Sequence, residues 1–233
     1  MRLFLPLMLA TLAVPAMFGA VCPDPNNCSF VINSQGGGST FGSVTNFGTV
    51  QLELGPLAAT ADQPAAGSGT IRLTIDLIDG YKIVDTGTHR AVTFNDSAAG
   101  VVAMTLGSFS DTHYTDAMTG DSNPPFSTFE HSVNFSSCGG TAACAVNKLS
   151  FIVTKTGGSF TDVNELVNLS TGGTNAYFAV DVANAAGQTA VVGVTGGGSA
   201  VPEPGEYAVL LSAGLGAIVF ARARRRKAVE AAE

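Results

Sequence analysis

Residues 70–80 read TIRLTIDLIDG, and the alternation within this stretch indicates how the chain folds. Apolar side chains occupy every second position, namely Ile71, Leu73, Ile75 and Leu77, with Arg72, Thr74 and Asp76 between them. A period of two predicts a strand of an antiparallel sheet with one buried face and one face in water. Asp79-Gly80 is a tight-turn pair, so YKIV at 81–84 is predicted to form the partner strand.

Similar segments recur along the chain. The further predicted strands are GTVQLEL at 48–54, AVTFN at 91–95, VVAMTL at 101–106, SVNFS at 132–136, KLSFIVT at 148–154, AYFAVDV at 176–182 and AVVGV at 190–194. Turn-rich pieces separate them at short spacing, which predicts an all-β fold, an antiparallel, jelly-roll-like β-sandwich. The exception is DVNE at 162–165, which resembles a capping box and predicts one short helix or turn.

An uncharged, apolar segment runs from Tyr207 to Ala221 and ends in a cluster of cations. As a helix this segment is about 22 Å long, whereas a hydrocarbon core is about 30 Å thick. The aliphatic part of the Arg222 side chain can extend to the lipid headgroups and so make up part of the difference. The cations are Arg222, Arg224, Arg225, Arg226 and Lys227. Because such clusters stay in the cytoplasm, the segment predicts a single transmembrane helix with the body of the protein outside. A core helix of the folded domain is the alternative.

The N-terminus carries a second export signal. Arg2 precedes an apolar run from Leu3 to Phe18, an order typical of a secretory signal peptide. The sequence therefore predicts a signal peptide over residues 1–20 and export through the Sec machinery.

Three parts follow one another at the C-terminus: Val201-Pro202-Glu203-Pro204, the apolar segment with Gly214-Leu215-Gly216, and the cations. This order resembles the PEP-CTERM sorting signal, whose motif is matched by Pro202, Glu203 and Pro204. The resemblance implies that an exosortase, a membrane-embedded cysteine transpeptidase, removes the tail. It also implies transient anchoring in the inner membrane of a Gram-negative bacterium that makes exopolysaccharide, followed by delivery to the cell surface or extracellular matrix.

The middle of the chain resembles a recurring ectodomain of PEP-CTERM proteins. The resemblance covers most of residues 47–195 and includes DGYKIVDTGTHRAVTFN at 79–95 and CGGTAACAVNKLSFIV at 138–153. It implies no particular activity.

Glycine-rich stretches at 36–38 and 196–199 indicate linkers between the parts of the chain. The predicted order is a signal peptide (1–20), an N-terminal segment with a cysteine pair and a glycine linker (21–46), the β-sandwich ectodomain (47–195), a glycine-rich linker (196–200), the sorting signal with its transmembrane helix (201–227) and a cytoplasmic tail (228–233).

Acidic residues dominate the region between the two end signals. From Val21 to Ala200 there are fourteen acidic and five basic residues, a formal net charge of −9. Such a surface repels phosphate backbones, which argues against nucleic acid as a partner.

The four cysteines form two pairs with equal spacing, and export implies an oxidising compartment. Three connectivities are open, of which we favour the local pairs Cys22–Cys28 and Cys138–Cys144. A four-thiolate zinc site is the disfavoured alternative, because its ligands usually lie closer together in sequence.

No catalytic motif is present in the sequence, and no catalytic residue or cofactor is predicted. His89, His113 and His131 are interpreted as exposed loop residues. Asp111, Asp116 and Asp121 lie in a polar stretch that is interpreted as a solvated loop, with calcium binding as the alternative.

Two aromatic residues, Phe126 and Phe129, follow that polar stretch. They are interpreted as core residues, and stacking on sugar rings is the alternative.

Two functions fit these observations. The first is a non-enzymatic, exosortase-processed protein of the envelope or extracellular matrix, with a structural, adhesive or glycan-binding role. The second is a secreted hydrolase acting on polysaccharide, which would need two carboxylates about 5–10 Å apart across a cleft.

Overall fold

Two antiparallel β-sheets carry the described part of the chain. The computed structural model describes residues 22–36, 40–86, 89–97, 103–117, 121–126, 128–135, 145–196 and 198. These residues form twelve strands and one turn of 3-10 helix, Val163–Leu166. The strands are β1 (Asn27–Ile32), β2 (Ser34–Gln35), β3 (Gly48–Leu54), β4 (Ile71–Leu77), β5 (Tyr81–Ile83), β6 (Val92–Phe94), β7 (Met104–Gly107), β8 (Tyr114–Asp116), β9 (His131–Phe135), β10 (Lys148–Lys155), β11 (Phe178–Asn184) and β12 (Thr189–Val194). The prediction of an all-β fold is confirmed.

β4, the strand of the TIRLTIDL pattern, is the middle strand of the first sheet, whose order is β1-β3-β4-β10-β7. Leu73 faces Leu52 of β3 on one side and Phe151 of β10 on the other. Gly48 begins β3 close to β4, where a side chain at this position would come within 2.1 Å of the carbonyl oxygen of Asp76. A glycine is therefore needed for the two strands to approach each other here.

The prediction that YKIV pairs with β4 in a hairpin is wrong. The turn itself forms, since the Tyr81 N–H donates to the carbonyl oxygen of Ile78 at 3.3 Å. β5, however, pairs with β11 in the second sheet. Because β3 and β10 already flank β4, no edge of β4 is open to β5. The turn instead carries the chain from one sheet to the other.

The second sheet has the order β2-β12-β11-β6-β9-β8, and β5 pairs with β11 beside this path. β11 is the middle strand and is antiparallel to β12, β6 and β5. β6 pairs in turn with β9, so that Phe94 stands opposite His131. This register determines which polar side chains meet at one end of the sheet.

Side chains from both sheets meet in one hydrophobic cluster. The rings of Phe30 in β1 and Phe178 in β11 have centroids 5.3 Å apart, and those of Phe94 in β6 and Phe151 in β10 lie at 6.4 Å. All four side chains are buried. Burial of one such ring contributes roughly 1.5–3 kcal/mol, so this aromatic layer is a major source of stability.

The prediction that the polar face of β4 lies in water is wrong for two of its three residues. Arg72 and Thr74 are only 5% and 3% exposed, whereas Asp76 is exposed. The loop of residues 55–66 covers this face, and Arg72 donates to two of the loop's carbonyl oxygens at 3.2 Å each. Arg72 also pairs with Glu53 at 2.8 Å. The loop thus turns an outward-facing row into a buried polar layer.

Each of the other predicted strands overlaps an observed strand. The predicted N-terminal segment, 21–46, also contains β1 and β2, for which the pattern predicted no strand. They pair with β3 and β12, respectively. The predicted capping box is confirmed, since Asp162 and Glu165 satisfy each other's backbone N–H groups at the start of the 3-10 helix.

Cys22 and Cys28 form a disulfide with Cα atoms 5.5 Å apart, as predicted. Cys138 and Cys144 lie outside the described residues, so their pairing stays a prediction. The same holds for the signal peptide (1–20), the sorting signal (201–227) and the tail (228–233). Among the described residues, no helical stretch reaches the length and apolarity that a membrane span requires.

Candidate functional site

The three aspartates predicted as alternative calcium ligands each bind protein donors. Asp111 Oδ1 accepts the backbone N–H of His113 at 2.8 Å, and Asp116 Oδ2 accepts that of Leu106 at 2.9 Å. Asp121 forms an ion pair with the guanidinium of Arg90. Each of the three carboxylates therefore interacts with a different protein group.

The charge on Asp121 is favoured by its surroundings. Burial works against ionisation, but the Ser122 N–H and the Arg90 guanidinium outweigh it and hold the pKa of Asp121 below its ordinary value. An ionised Asp121 paired with Arg90 fastens the segment around residue 121 to the strand that begins at Val92.

The three histidines differ in surroundings, and the prediction that all are exposed is wrong for one of them. His113 lies between β7 and β8, and 38% of its side chain is exposed. His89 is partly exposed, with 30% of its side chain accessible. His131 begins β9, and only 11% of its side chain is exposed. Its ring stacks on Phe94 with centroids 5.3 Å apart and 29° between planes.

His131 meets two carboxylates at this end of the second sheet. Its Nε2 lies 3.1 Å from Oδ2 of Asp96, whose side chain is 1% exposed. Glu130 is the third member, and one ligand atom from each of Asp96, Glu130 and His131 falls within 4.8 Å of the others. We call these three residues the acid–histidine cluster.

The strand register brings this cluster together. Asp96 follows the end of β6, and Glu130 precedes the start of β9, so the antiparallel pairing of the two strands places both residues at one edge. Asn95 Oδ1 accepts the Glu130 N–H at 2.7 Å, and the Asp96 N–H donates to Glu130 Oε2 at 3.3 Å. These bonds hold the Glu130 carboxylate against the other two groups.

A second buried carboxylate, Asp181, lies on the outer side of β11. Its Oδ2 accepts the N–H and the hydroxyl of Thr86, both at 2.6 Å. Oδ1 lies 3.9 Å from Nδ1 of His89, and neither atom has a hydrogen-bond partner within the part of the chain that the structure describes. Burial raises the pKa of Asp181 to about 6, against the lowering effects of Thr86 and His89.

A cavity of about 590 Å³ opens where β5 and the end of β11 meet the start of β10. Its polar lining includes Tyr81, Lys82, Asn147 and Asn184, together with apolar Val146. Amide, ammonium and phenol groups of this kind can bind the hydroxyls of a sugar. None of the described residues that line the cavity is acidic.

Phe126 and Phe129 are core residues, as predicted, since they are 0% and 1% exposed. They pack on the outer side of the second sheet with Ala179 and Val191. The ring of Phe126 lies against Gly193, where a Cβ would come within 2.7 Å of it. Both rings are buried and so are not placed to stack on a sugar.

The chain was compared with protein-family models, curated proteins and solved structures. No match was found in any of the three.

Sequence reasoning did not identify Asp96, Glu130 or Asp181 as residues of interest. One signal was available for the first two: Asp96 directly follows the predicted strand AVTFN, and Glu130-His131 directly precedes SVNFS. Had those two strands been paired, the three side chains would have been expected at one edge. The isolated aspartate within AYFAVDV was the corresponding signal for Asp181.

Proposed function

We propose that this chain is an exported protein of the Gram-negative envelope or extracellular matrix that is processed by an exosortase. Its role is structural, adhesive or glycan-binding, and it is not an enzyme. The observation that carries the proposal is the order at the C-terminus: Pro202-Glu203-Pro204, the uncharged segment 207–221, then five cations. The partners are the Sec machinery, the exosortase and, transiently, the inner membrane.

The body of the protein is compatible with this proposal. The Cys22–Cys28 disulfide suits an oxidising compartment outside the cytoplasm. A net charge of −9 between residues 21 and 200 favours solubility after release. We propose that the two antiparallel sheets form a jelly-roll-like β-sandwich, an architecture that presents loops and cavities to ligands.

Binding explains the cavity beside β5 better than hydrolysis does. A glycosidase needs one carboxylate as acid and a second as base or nucleophile across the scissile bond. The described lining offers instead Tyr81, Lys82 and two asparagines. These groups can hold a polysaccharide chain by hydrogen bonds without cleaving it.

Substitution of the glutamate in the sorting motif tests the processing step. A charge-assisted hydrogen bond is worth about 1.5–3 kcal/mol, so Glu203→Gln should slow removal of the tail by roughly tenfold to a hundredfold. The full-length chain is expressed in a Gram-negative host that contains an exosortase. Pulse-chase labelling then follows conversion of the membrane-bound precursor to the shorter mature form.

Glu206→Gln is the matched control, because this glutamate also precedes the apolar segment but lies outside the motif. It should be processed at the wild-type rate. Equal processing rates for the Glu203→Gln variant and the wild type would contradict recognition of the motif.

A further inference from the structure

We propose that the acid–histidine cluster, Asp96, Glu130 and His131, binds a divalent transition-metal ion, with zinc as the best match. The three side chains come from two segments that are far apart in sequence but adjacent in the second sheet. Imidazole nitrogen and carboxylate oxygen are both zinc ligands, at about 2.0–2.2 Å from the ion. The proposal goes beyond export and processing.

The distances suit one ion shared by three side chains. Ligand atoms of a tetrahedral zinc ion lie about 3.4 Å from one another, given those bond lengths. Here Nε2 of His131 and Oδ2 of Asp96 are 3.1 Å apart, and the full set of three falls within 4.8 Å.

The charges of the cluster favour a cation. Two carboxylates lie close together with one imidazole, and the side chain of Asp96 is 1% exposed. A bound dication would interact favourably with both carboxylates, and more strongly where water is excluded.

The surrounding contacts fix the ligands in place. The ring of His131 stacks on Phe94, so its Nε2 stays directed at Asp96. The Asp96 N–H donates to Glu130 Oε2. The Asn95 side chain accepts the backbone N–H of Glu130 and donates to the carbonyl oxygen of Leu169. Such supporting contacts typically change metal affinity by about 10–100-fold.

The donor set also selects the type of metal. Calcium takes six to eight oxygen ligands, whereas a nitrogen donor with two carboxylates suits zinc or a similar first-row ion. Three protein ligands leave a fourth position of a tetrahedral ion for water. This site is distinct from the Asp111, Asp116 and Asp121 stretch, whose carboxylates bind other protein groups.

Metal titration of the full-length chain tests the proposal. The protein is purified in detergent without a polyhistidine tag, stripped with EDTA and titrated with zinc in a calorimeter. We expect one zinc ion per chain, and retention of that ion after gel filtration, measured by mass spectrometry of the metal. Glu130→Gln and His131→Gln should each weaken zinc binding by at least about tenfold.

His113→Gln is the matched control. His113 also contacts an aspartate, with Nδ1 2.6 Å from Asp111 Oδ1, but it is not part of the cluster. This variant should bind zinc as the wild type does. Circular dichroism checks that each variant is folded, and Glu130→Gln keeps the test decisive if the His131 variant does not fold, because Glu130 is partly exposed.

Three results would overturn the proposal. One is the absence of stoichiometric zinc binding by the wild type. Another is equal zinc affinity in the Glu130→Gln, His113→Gln and wild-type proteins. The third is calcium binding at these residues that matches or exceeds zinc binding in a competition titration.

Discussion

The two faces of β4 differ in chemistry, but of the outer residues Arg72, Thr74 and Asp76 only Asp76 is exposed. Leu73 and its apolar neighbours point into the shared core, where Leu73 faces Leu52 and Phe151. Arg72 and Thr74 point the other way and are nevertheless buried, because the loop of residues 55–66 covers them. Alternation in the sequence therefore shows which face of a strand is apolar, and it does not show which face is wet.

β11 repeats this arrangement in the second sheet. Its inner face carries Phe178, Val180 and Val182, which belong to the shared core. Its outer face carries Asp181, which is 0% exposed and has one oxygen without a hydrogen-bond partner among the described residues. The outer face of β4 is thus a satisfied polar layer, whereas that of β11 contains an incompletely satisfied carboxylate. This difference predicts that the two layers respond differently to substitution and to pH.

Truncation of the inner face of β4 should have the largest effect. Leu73→Ala removes buried methyl groups and leaves a cavity, which we expect to lower the free energy of unfolding by about 4 kcal/mol. Urea denaturation followed by circular dichroism measures it. Val31→Ala on β1 is the control, since Val31 is exposed, and its effect should stay within about 0.5 kcal/mol. A loss at Leu73 no larger than that at Val31 would contradict the proposed core.

The outer face of β11 should make stability depend on pH. Burial raises the pKa of Asp181 to about 6 from an ordinary value of 3.8. The folded state therefore binds a proton more tightly than the unfolded state, and this contribution is fully present below pH 4 and is lost as the pH rises through 6. Each pKa unit corresponds to about 1.4 kcal/mol, so the loss approaches about 3 kcal/mol.

Asp181→Asn isolates this contribution, because an amide oxygen can still accept from Thr86 but carries no charge. The variant should be more stable than the wild type at pH 7.5 and similar to it at pH 4. The Val31→Ala variant, which removes no titratable group, should keep the wild-type pH profile. The same pH profile for the wild type and the Asp181→Asn variant would show that Asp181 is not destabilised by its burial.

The outer face of β4 should be less costly to disturb than the core. Arg72→Met leaves Glu53 without its partner, and Glu53 has some access to water, so we expect a loss of about 2 kcal/mol. Lys148→Met is the matched control, because Lys148 and Asp62 also link the sheet to the loop but are 30% and 57% exposed. An exposed pair contributes less than about 1 kcal/mol. Equal losses in both variants would contradict the importance of burial for the Arg72 layer.

Local patterns allowed most of the strands to be predicted. The β4 and β3 segments have clear alternation, and the capping residues Asp162 and Glu165 identified the 3-10 turn at Val163–Leu166. The partner of β5 was not predictable, because a tight turn at Asp79-Gly80 does not reveal that both sides of β4 are already occupied. Burial of Arg72 was missed for a similar reason, since the loop that covers it is not adjacent to it in sequence.

The candidate site was less predictable than the fold. His131 was noted in the sequence, but its two carboxylate neighbours were not. Asp96 and His131 are 35 positions apart, and the pairing of β6 with β9 brings them together. The aspartates at 111, 116 and 121 are close in sequence, yet each binds a different protein group. Proximity in sequence was therefore a poor guide to convergence in space.

Intact mass spectrometry of the protein recovered from native cells and medium tests the central proposal most directly. We expect a mature chain that lacks the signal peptide and the tail beyond the Pro202-Glu203-Pro204 region, with no free thiols. Recovery of the full-length chain from the cytosol, with its cysteines reduced, would contradict it.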